Sequence, residues 1–145
     1  MKLKRYEGNP ILCPNPANEW ENLAVFNPAA WYDEEKKQII LLYRAAEADP
    51  EYKCYFGLAV SSDGYHFERV SENPAFSPSI DGFDASTVQD PRMVKMGEYY
   101  YITYACRFFP FGRSLNTGKV RLTFFWYVGY WANKVWRAKQ SVRPG

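Results

Sequence analysis

The sequence predicts an all-β protein built from short antiparallel strands. Ten prolines and nine glycines interrupt the chain every few residues, which leaves little room for long helices. Apolar, β-branched segments alternate with polar turns, as in β-hairpins. The aromatic fraction is 19%, with twelve tyrosines, and such residues favour strands.

The strands are expected in hairpins joined by polar turns. A turn beginning at Asp33 joins the first two strands, and a turn at Ser62-Asp63-Gly64 closes the third. Asp63 is expected to cap that turn with its own hydrogen bonds to the backbone. The predicted strands run from Ala24 to Tyr32, Gln38 to Arg44, Tyr55 to Ser61, Met93 to Met96 and Tyr99 to Cys106.

A weak internal repeat organises these hairpins. Asn27-Pro28 leads through a hairpin to Tyr43-Arg44-Ala45, and 63 residues later Asp90-Pro91 leads through a hairpin to Tyr104-Ala105-Cys106-Arg107. Repeats of short antiparallel strands are typical of β-propeller blades. The alternative is two unrelated hairpins of a β-sandwich. A propeller needs at least about four blades to close, and this chain has material for about two.

Charge is distributed unevenly along the chain. All 16 acidic residues precede residue 113, where they outnumber 11 basic ones, whereas residues 113–145 carry seven basic residues and no acid. Such a tail can bind an anionic partner. Interleaved aromatic residues would suit single-stranded nucleic acid, but no nucleic-acid-binding motif is present, and we expect no such partner. The same break in charge and pattern suggests a frameshift or truncation.

Several classes of protein are disfavoured by the composition. Three widely spaced cysteines argue against a disulfide framework, and one histidine argues against a metal site. The charged N-terminus is not followed by an apolar signal segment. The longest apolar run, Leu122 to Trp131, is half of the ~20 residues that a membrane helix needs. We therefore expect a soluble, cytoplasmic protein with no membrane partner.

Three polar residues at strand ends are candidates for chemistry: Asn27, Arg44 and Asp90. In a propeller, strand ends near the axis line the central funnel. Asp90 precedes Pro91, so its backbone is expected to be extended, and nearby Arg92 would tune its pKa. The alternatives are structural: an Asx turn before proline for Asn27 and Asp90, and a salt bridge to Glu47 for Arg44.

Six ordered motifs make residues 9–112 closely resemble the β-mannoside phosphorylases of glycoside hydrolase family 130. The motifs are Phe26-Asn27-Pro28, Tyr43-Arg44-Ala45-Ala46, Ser62-Asp63-Gly64-Tyr65-His66-Phe67, Val88-Gln89-Asp90-Pro91-Arg92, Tyr104-Ala105-Cys106-Arg107 and Pro110-Phe111-Gly112.

The resemblance implies a five-bladed β-propeller, of which about two blades are present here. It also implies inverting phosphorolysis of β-mannosides to α-mannose 1-phosphate. Asp90 matches the general acid, which delivers its proton through the sugar 3-hydroxyl. Asn27 and Arg44 match residues that hold the mannosyl unit, and we assign Arg92 to substrate binding with them. Many members have Glu where this chain has Gln89, which leaves the acceptor sugar open.

A single carboxylic acid suffices for this chemistry. Inverting hydrolysis needs a second carboxylate to activate water, whereas phosphate is already an anionic nucleophile and needs cations to hold it. In the family these cations lie beyond the Pro110-Phe111-Gly112 segment. The acid must be protonated when substrate is bound, so a raised pKa is expected for Asp90. No cofactor or metal is implied, and inorganic phosphate is the co-substrate.

We therefore divide the chain into N-terminal propeller blades, residues 1–112, and a basic aromatic tail, residues 113–145. The expected partners are a β-mannoside oligosaccharide and phosphate. A piece of this length is expected to be incomplete or inactive, and its exposed sheet edges favour a homo-oligomer. The alternatives are a non-catalytic mannoside-binding fragment and a β-mannoside hydrolase.

Overall fold

The computed structural model describes residues 2–50, 52–80, 87–97, 99–107, 127–132 and 135–139. Within these ranges the chain forms eight strands and one short 3-10 turn at Glu19–Glu21, and no helix has the length and apolar composition needed to cross a bilayer. The strands are β1 (Ala24–Asp33), β2 (Gln38–Ala46), β3 (Cys54–Ser61), β4 (Glu68–Arg69), β5 (Thr87–Met96), β6 (Tyr99–Arg107), β7 (Tyr127–Ala132) and β8 (Val135–Lys139).

Two four-stranded antiparallel sheets account for all eight strands. Each sheet is a simple meander, with the order β1-β2-β3-β4 in the first and β5-β6-β7-β8 in the second. Strands that follow each other in sequence therefore lie side by side, as in the blades of a propeller. The predicted all-β class is confirmed. Strand β5 begins at Thr87, six residues before the predicted start at Met93.

The described part of the basic tail belongs to the second sheet. Strand β7 pairs with β6 from Tyr104↔Tyr127 to Tyr100↔Trp131, and β8 pairs with β7. The motif pattern did not indicate these two strands, because no blade motif is recognisable after Gly112. The boundary at residues 112/113 and the frameshift hypothesis stay predictions.

The two sheets pack face to face through an apolar core. The ring of Phe56 in β3 meets the ring of Tyr104 in β6 edge to face, with centroids 5.7 Å apart. Burying each large side chain of this kind contributes about 1.5–3 kcal/mol to folding, so this layer holds the sheets together. Its buried members are Ala29, Leu42, Phe56, Val88, Ile102, Tyr104 and Cys106.

The opposite face of the first sheet is covered by residues that precede β1, here called the N-terminal arm, among them Ile11, Leu12 and Trp20. Trp20 packs against Tyr43, with ring centroids 6.2 Å apart. Beside it the carboxylate of Glu21 is fully buried and accepts hydrogen bonds from Asn18 Nδ2 (2.7 Å), Tyr43 OH (3.0 Å) and Arg69 Nε (2.8 Å). Burial and the neighbouring carboxylate both raise the pKa of Tyr43. This network ties the arm to β2 and β4.

Gly57 allows the ring of Tyr43 to lie across β3. The two residues are cross-strand partners, and a Cβ atom at position 57 would collide with the Tyr43 ring. We expect Gly57→Ala to lower the free energy of unfolding by about 1–3 kcal/mol, the usual cost of overpacking a core. Urea denaturation measures it. Adding Tyr43→Leu should recover part of the loss, and a loss unchanged in the double variant would contradict this account.

Candidate active site

Two equivalent β-bulges place the candidate residues. In β1 the pair Asn27-Pro28 lies opposite Tyr43 alone, and in β5 the pair Asp90-Pro91 lies opposite Tyr104 alone. Asn27 and Asp90 both have positive φ, 46° and 51°. Asn and Asp are the residues other than glycine that best tolerate this conformation, which explains the residue types at both positions. The bulges also redirect both side chains out of the strand alternation.

The backbone prediction for Asp90 is therefore corrected. Proline at position 91 was expected to hold Asp90 extended, but a positive φ lies outside the extended region. The bulge overrides the usual preference of a residue before proline, because two residues must fit opposite one partner. Strained backbone of this kind is concentrated at functional sites.

The bulges bring Asn27, Arg44 and Asp90 together across the two sheets. Asn27 Nδ2 donates a hydrogen bond to Asp90 Oδ1 at 2.8 Å, and Arg44 Nη1 donates to the same oxygen at 3.1 Å. Asn27 and Arg44 belong to the first sheet, whereas Asp90 belongs to the second. The three residues singled out from the sequence thus form one cluster. In the alternative, an Asx turn, the Asp90 side chain would bond to the backbone of its own turn. The observed partners of Asp90 Oδ1 are instead side chains of the other sheet.

Arg44 is held from several sides. Its side chain is 10% exposed, and its guanidinium carbon lies 4.5 Å from the centroid of the Phe26 ring, a cation–π contact. Its Nε donates to Cys54 Sγ at 3.3 Å. Phe26 is the direct cross-strand neighbour of Arg44. The alternative partner, Glu47, accepts a hydrogen bond from Tyr55 OH instead, at 2.7 Å.

The two oxygens of Asp90 have different surroundings. Oδ1 accepts both of the hydrogen bonds described above, whereas Oδ2 has no hydrogen-bond partner among the residues that the structure describes. The side chain is 41% exposed. One oxygen is therefore held by two donors from the other sheet, whereas no described residue donates to the other oxygen.

The pKa of Asp90 lies below its ordinary value. Partial burial raises the pKa, but the hydrogen bonds from Asn27 and Arg44, with the positive charges of Arg44 and Arg92, outweigh burial and lower it. The expectation of a raised pKa concerns the substrate-bound site and stays a prediction, whereas the pKa is lowered in the chain without substrate. As predicted, the charge of Arg92 acts on this pKa, and it lowers it.

Arg92 is directed at its own bulge. Its Nη1 donates to the carbonyl oxygen of Pro91 at 2.9 Å, and the carbonyl oxygen of Asp90 lies 3.4 Å away. The guanidinium thus covers two carbonyls of the bulge while its charge acts on the Asp90 carboxylate. Its role in substrate binding stays a prediction.

The remaining sequence predictions concern structure more than chemistry. Asp63 Oδ1 accepts hydrogen bonds from the backbone N–H groups of Tyr65 and His66, which confirms it as the cap of its turn. The three cysteines are free thiols. In the described part of the chain, no group of three or more His, Cys, Asp or Glu side chains is placed to hold a metal ion.

Two contributors to the cluster carried no role in the sequence analysis. Phe26 occurs in the Phe26-Asn27-Pro28 motif, and its position opposite the candidate Arg44 in a hairpin could have indicated the stacking contact. Cys54 gave no such signal, because a lone buried cysteine is ordinary core material.

We expect Asn27→Gly to raise the pKa of Asp90, because it removes one donor to the carboxylate while glycine accepts the positive φ at this position. A carboxyl group whose pKa is lower in the folded than in the unfolded state stabilises the fold at pH values above its unfolded pKa. This stabilisation is lost as the pH falls through the folded pKa. The variant should therefore lose less stability on acidification.

NMR titration of the ¹³Cγ resonance of Asp90 measures the pKa. Asn27→Ala is the comparison: it should raise the pKa equally and also lower stability through backbone strain. An unchanged pKa in both variants would contradict the assignment.

The sequence matches known carbohydrate-active proteins over most of its length. Residues 2–117 match the model of glycoside hydrolase family 130, described as beta-1,4-mannooligosaccharide phosphorylase. The chain is 39% identical over 109 residues to a 1,2-beta-oligomannan phosphorylase of Thermoanaerobacter sp. (strain X514), covering 72% of this chain and 36% of that protein. It is also 39% identical over 115 residues to a beta-1,2-mannobiose phosphorylase of the same organism, covering 72% of this chain and 37% of that protein. The chain thus spans little more than a third of these relatives.

Solved structures show the same fold. The chain resembles a putative glycoside hydrolase from Parabacteroides distasonis with a TM-score of 0.73 and 24% identity, covering 94% of this chain and 40% of that one. For a β-1,2-mannobiose phosphorylase from Listeria innocua the TM-score is 0.68 at 17% identity, covering 94% of this chain and 50% of that one. These neighbours are five-bladed β-propellers, so the two sheets correspond to two of five blades. With the family model matching residues 2–117, the chain belongs to glycoside hydrolase family 130.

Proposed function

We propose that this chain carries the general acid and part of the mannosyl site of an enzyme that cleaves β-mannosides by inverting phosphorolysis. Asp90 donates the proton, and Asn27 and Arg44 orient Asp90 and contact the mannosyl unit. The observation that carries the proposal is the unequal use of the Asp90 oxygens: Oδ1 has two donors, Oδ2 has none among the described residues, and the side chain is 41% exposed. Family membership, and relatives described as β-mannoside phosphorylases, support the reaction class.

The proton required for catalysis resides on Oδ2 of Asp90. From there it passes through the sugar 3-hydroxyl to the glycosidic oxygen as the bond from that oxygen to C1 breaks. Phosphate attacks C1 from the opposite face, and the new bond to a phosphate oxygen gives α-mannose 1-phosphate. The shortened acceptor leaves with the transferred proton. No second carboxylate is needed, because phosphate brings its own negative charge.

Substrate binding raises the pKa of Asp90, which the hydrogen bonds and positive charges of the cluster lower in the chain without substrate. Burial is the largest influence on the Asp90 pKa, and it acts upward. A mannosyl unit over Oδ2 increases burial, and a phosphate anion nearby disfavours the ionised carboxylate further. The acid is therefore ionised in the free chain and gains a proton when both substrates are in place.

The cations that hold phosphate are expected beyond the Pro110-Phe111-Gly112 segment, and no role in holding phosphate is assigned to any residue of this chain. The relatives act on β-1,2-linked substrates according to their names, whereas the family description names β-1,4-mannooligosaccharides. Both linkages are therefore included among the substrates to test.

The decisive experiment incubates the 145-residue chain with β-1,2- or β-1,4-mannobiose in the presence of phosphate, or of sulfate at the same ionic strength. Phosphorus NMR identifies mannose 1-phosphate and its anomer. If two blades assemble a working site, despite the expectation that a chain of this length is incomplete, we expect α-mannose 1-phosphate with phosphate and no cleavage with sulfate.

Other outcomes separate the alternatives. Release of free mannose in both salts would show that the chain hydrolyses β-mannosides and would contradict phosphorolysis. Binding of mannobiose in calorimetry without cleavage would identify a mannoside-binding chain and contradict the catalytic proposal. Absence of both binding and cleavage would reject the site altogether.

A further inference from the structure

Arg44 is one of two residues of the first sheet that donate a hydrogen bond to the candidate acid, and one contact of its guanidinium is made by a thiol. We propose that Cys54 is a positioning residue for Asp90, acting through the guanidinium of Arg44. The consequence for catalysis rests on the proposed function, whereas the positioning itself is a property of the folded chain.

The strand register brings the thiol to the guanidinium. Cys54 opens β3 and pairs with Ala46, two residues before the direct partner of Arg44, which is Phe56. The side chains of Cys54 and Phe56 therefore lie on the same face of the sheet as that of Arg44. Cys54 is fully buried, so water does not compete for its sulfur.

The sulfur uses both of its hydrogen-bonding capacities. It accepts from Arg44 Nε at 3.3 Å, and the thiol donates to the carbonyl oxygen of Tyr52 at 3.6 Å. A neutral thiol offers one weak donor and a weak acceptor, and both are engaged here. Tyr52 has a positive φ of 54°, which places this carbonyl in a tight turn just before β3. The thiol thus connects the β2–β3 turn to Arg44.

The contacts of Arg44 constrain different motions of the planar guanidinium. The cation–π contact holds the guanidinium carbon over the Phe26 ring, but such a contact leaves the group free to rotate about that position. The bond from Nε to the sulfur fixes this rotation. With both fixed, Nη1 is directed at Asp90 Oδ1. Without the sulfur, Asp90 Oδ1 keeps the hydrogen bond from Asn27 Nδ2, but the hydrogen bond from Arg44 Nη1 is no longer well aligned.

The test compares Cys54→Ala and Cys54→Ser with the unmodified chain, each labelled at ¹³Cγ of aspartate and ¹⁵Nε of arginine. Cys106→Ala is the matched control, because it removes a buried thiol from the second sheet. NMR titration follows Asp90, and thermal unfolding checks that each variant is folded. No substrate is required.

We expect the titration midpoint of Asp90 to move upward in Cys54→Ala and to stay at its original value in Cys106→Ala. Serine keeps a donor and an acceptor, so Cys54→Ser should restore the low midpoint. A folded Cys54→Ala variant with an unchanged midpoint overturns the proposal. If the alanine variant does not fold, the serine variant decides: the Arg44 Nε–H resonance must shift when oxygen replaces sulfur, and an unchanged resonance overturns the proposal.

An activity measurement then separates this inference from the proposed function. In a chain that performs phosphorolysis, Cys54→Ala should lower kcat more than it changes KM, because it disturbs proton transfer, and Cys54→Ser should recover kcat. Because the titration needs no substrate, positioning by Cys54 stands if the Asp90 midpoint moves even where phosphorolysis fails. If the chain is active and the titration midpoint of Asp90 is unchanged in Cys54→Ala, Cys54 is not a positioning residue and the proposed function is unaffected.

Discussion

Asp90→Asn is expected to lower the rate of phosphorolysis by about 10²–10⁴-fold, the usual contribution of a general acid. The amide is nearly the same size as the carboxyl group and can still accept at Oδ1 from Asn27 and Arg44, so the cluster geometry is retained. What is lost is the transferable proton on the second atom. Phosphate-dependent formation of mannose 1-phosphate measures the effect, and calorimetry with mannobiose should show binding retained.

Asp63→Asn is the matched control for this prediction, because it removes one carboxylate from an exposed turn. Asparagine can still cap that turn through its side-chain oxygen. We expect its turnover to equal that of the unmodified chain. An Asp90→Asn variant with normal turnover would assign the acid to another residue.

Glu21→Ala is expected to destabilise the fold by about 3–5 kcal/mol, the usual cost of breaking a buried ion pair by removing one partner. The substitution leaves the Arg69 guanidinium without its carboxylate and removes the acceptor of the buried Tyr43 hydroxyl. Urea denaturation followed by tryptophan fluorescence reports it, since Trp20 lies in the same 3-10 turn.

Glu19 provides the comparison, because it lies in the same turn and is exposed. Glu19→Ala should change stability by less than about 0.5 kcal/mol, as surface substitutions usually do. Glu21→Gln should fall between the two, because it keeps an acceptor for Tyr43 but lacks the charge that pairs with Arg69. Equal stability of the two alanine variants would show that the buried network contributes nothing net.

Local pattern predicted much of the fold and the candidate site. The hairpin joined at Asp33 follows from polar turn residues between two apolar, β-branched segments, and it is present as β1 and β2. The repeat of Asn27-Pro28 and Asp90-Pro91 is the sequence signature of two equivalent bulges. The candidates Asn27, Arg44 and Asp90 meet because equivalent positions of adjacent blades face each other.

Other features depend on three-dimensional neighbours that local sequence does not specify. The backbone of Asp90 was predicted as extended, but the pairing opposite Tyr104 imposes a positive φ. Burial acts to raise its pKa, yet the donors on Oδ1 and the nearby positive charges lower the pKa in the chain without substrate. Cys54 becomes relevant only through a contact between adjacent strands. The two strands of the tail are defined by pairing, β7 with β6 and β8 with β7, and no sequence motif predicts this pairing.

The hydrogen bonds to Asp90 Oδ1 run between the sheets, and this couples chemistry to assembly. A folding intermediate with both blades formed but not docked would hold an aspartate with neither inter-blade donor, and therefore with different acidity. The candidate acid acquires its special environment in the same step that closes the apolar layer around Phe56 and Tyr104. Titration of this one side chain would thus report separation of the two sheets even where each sheet stays folded.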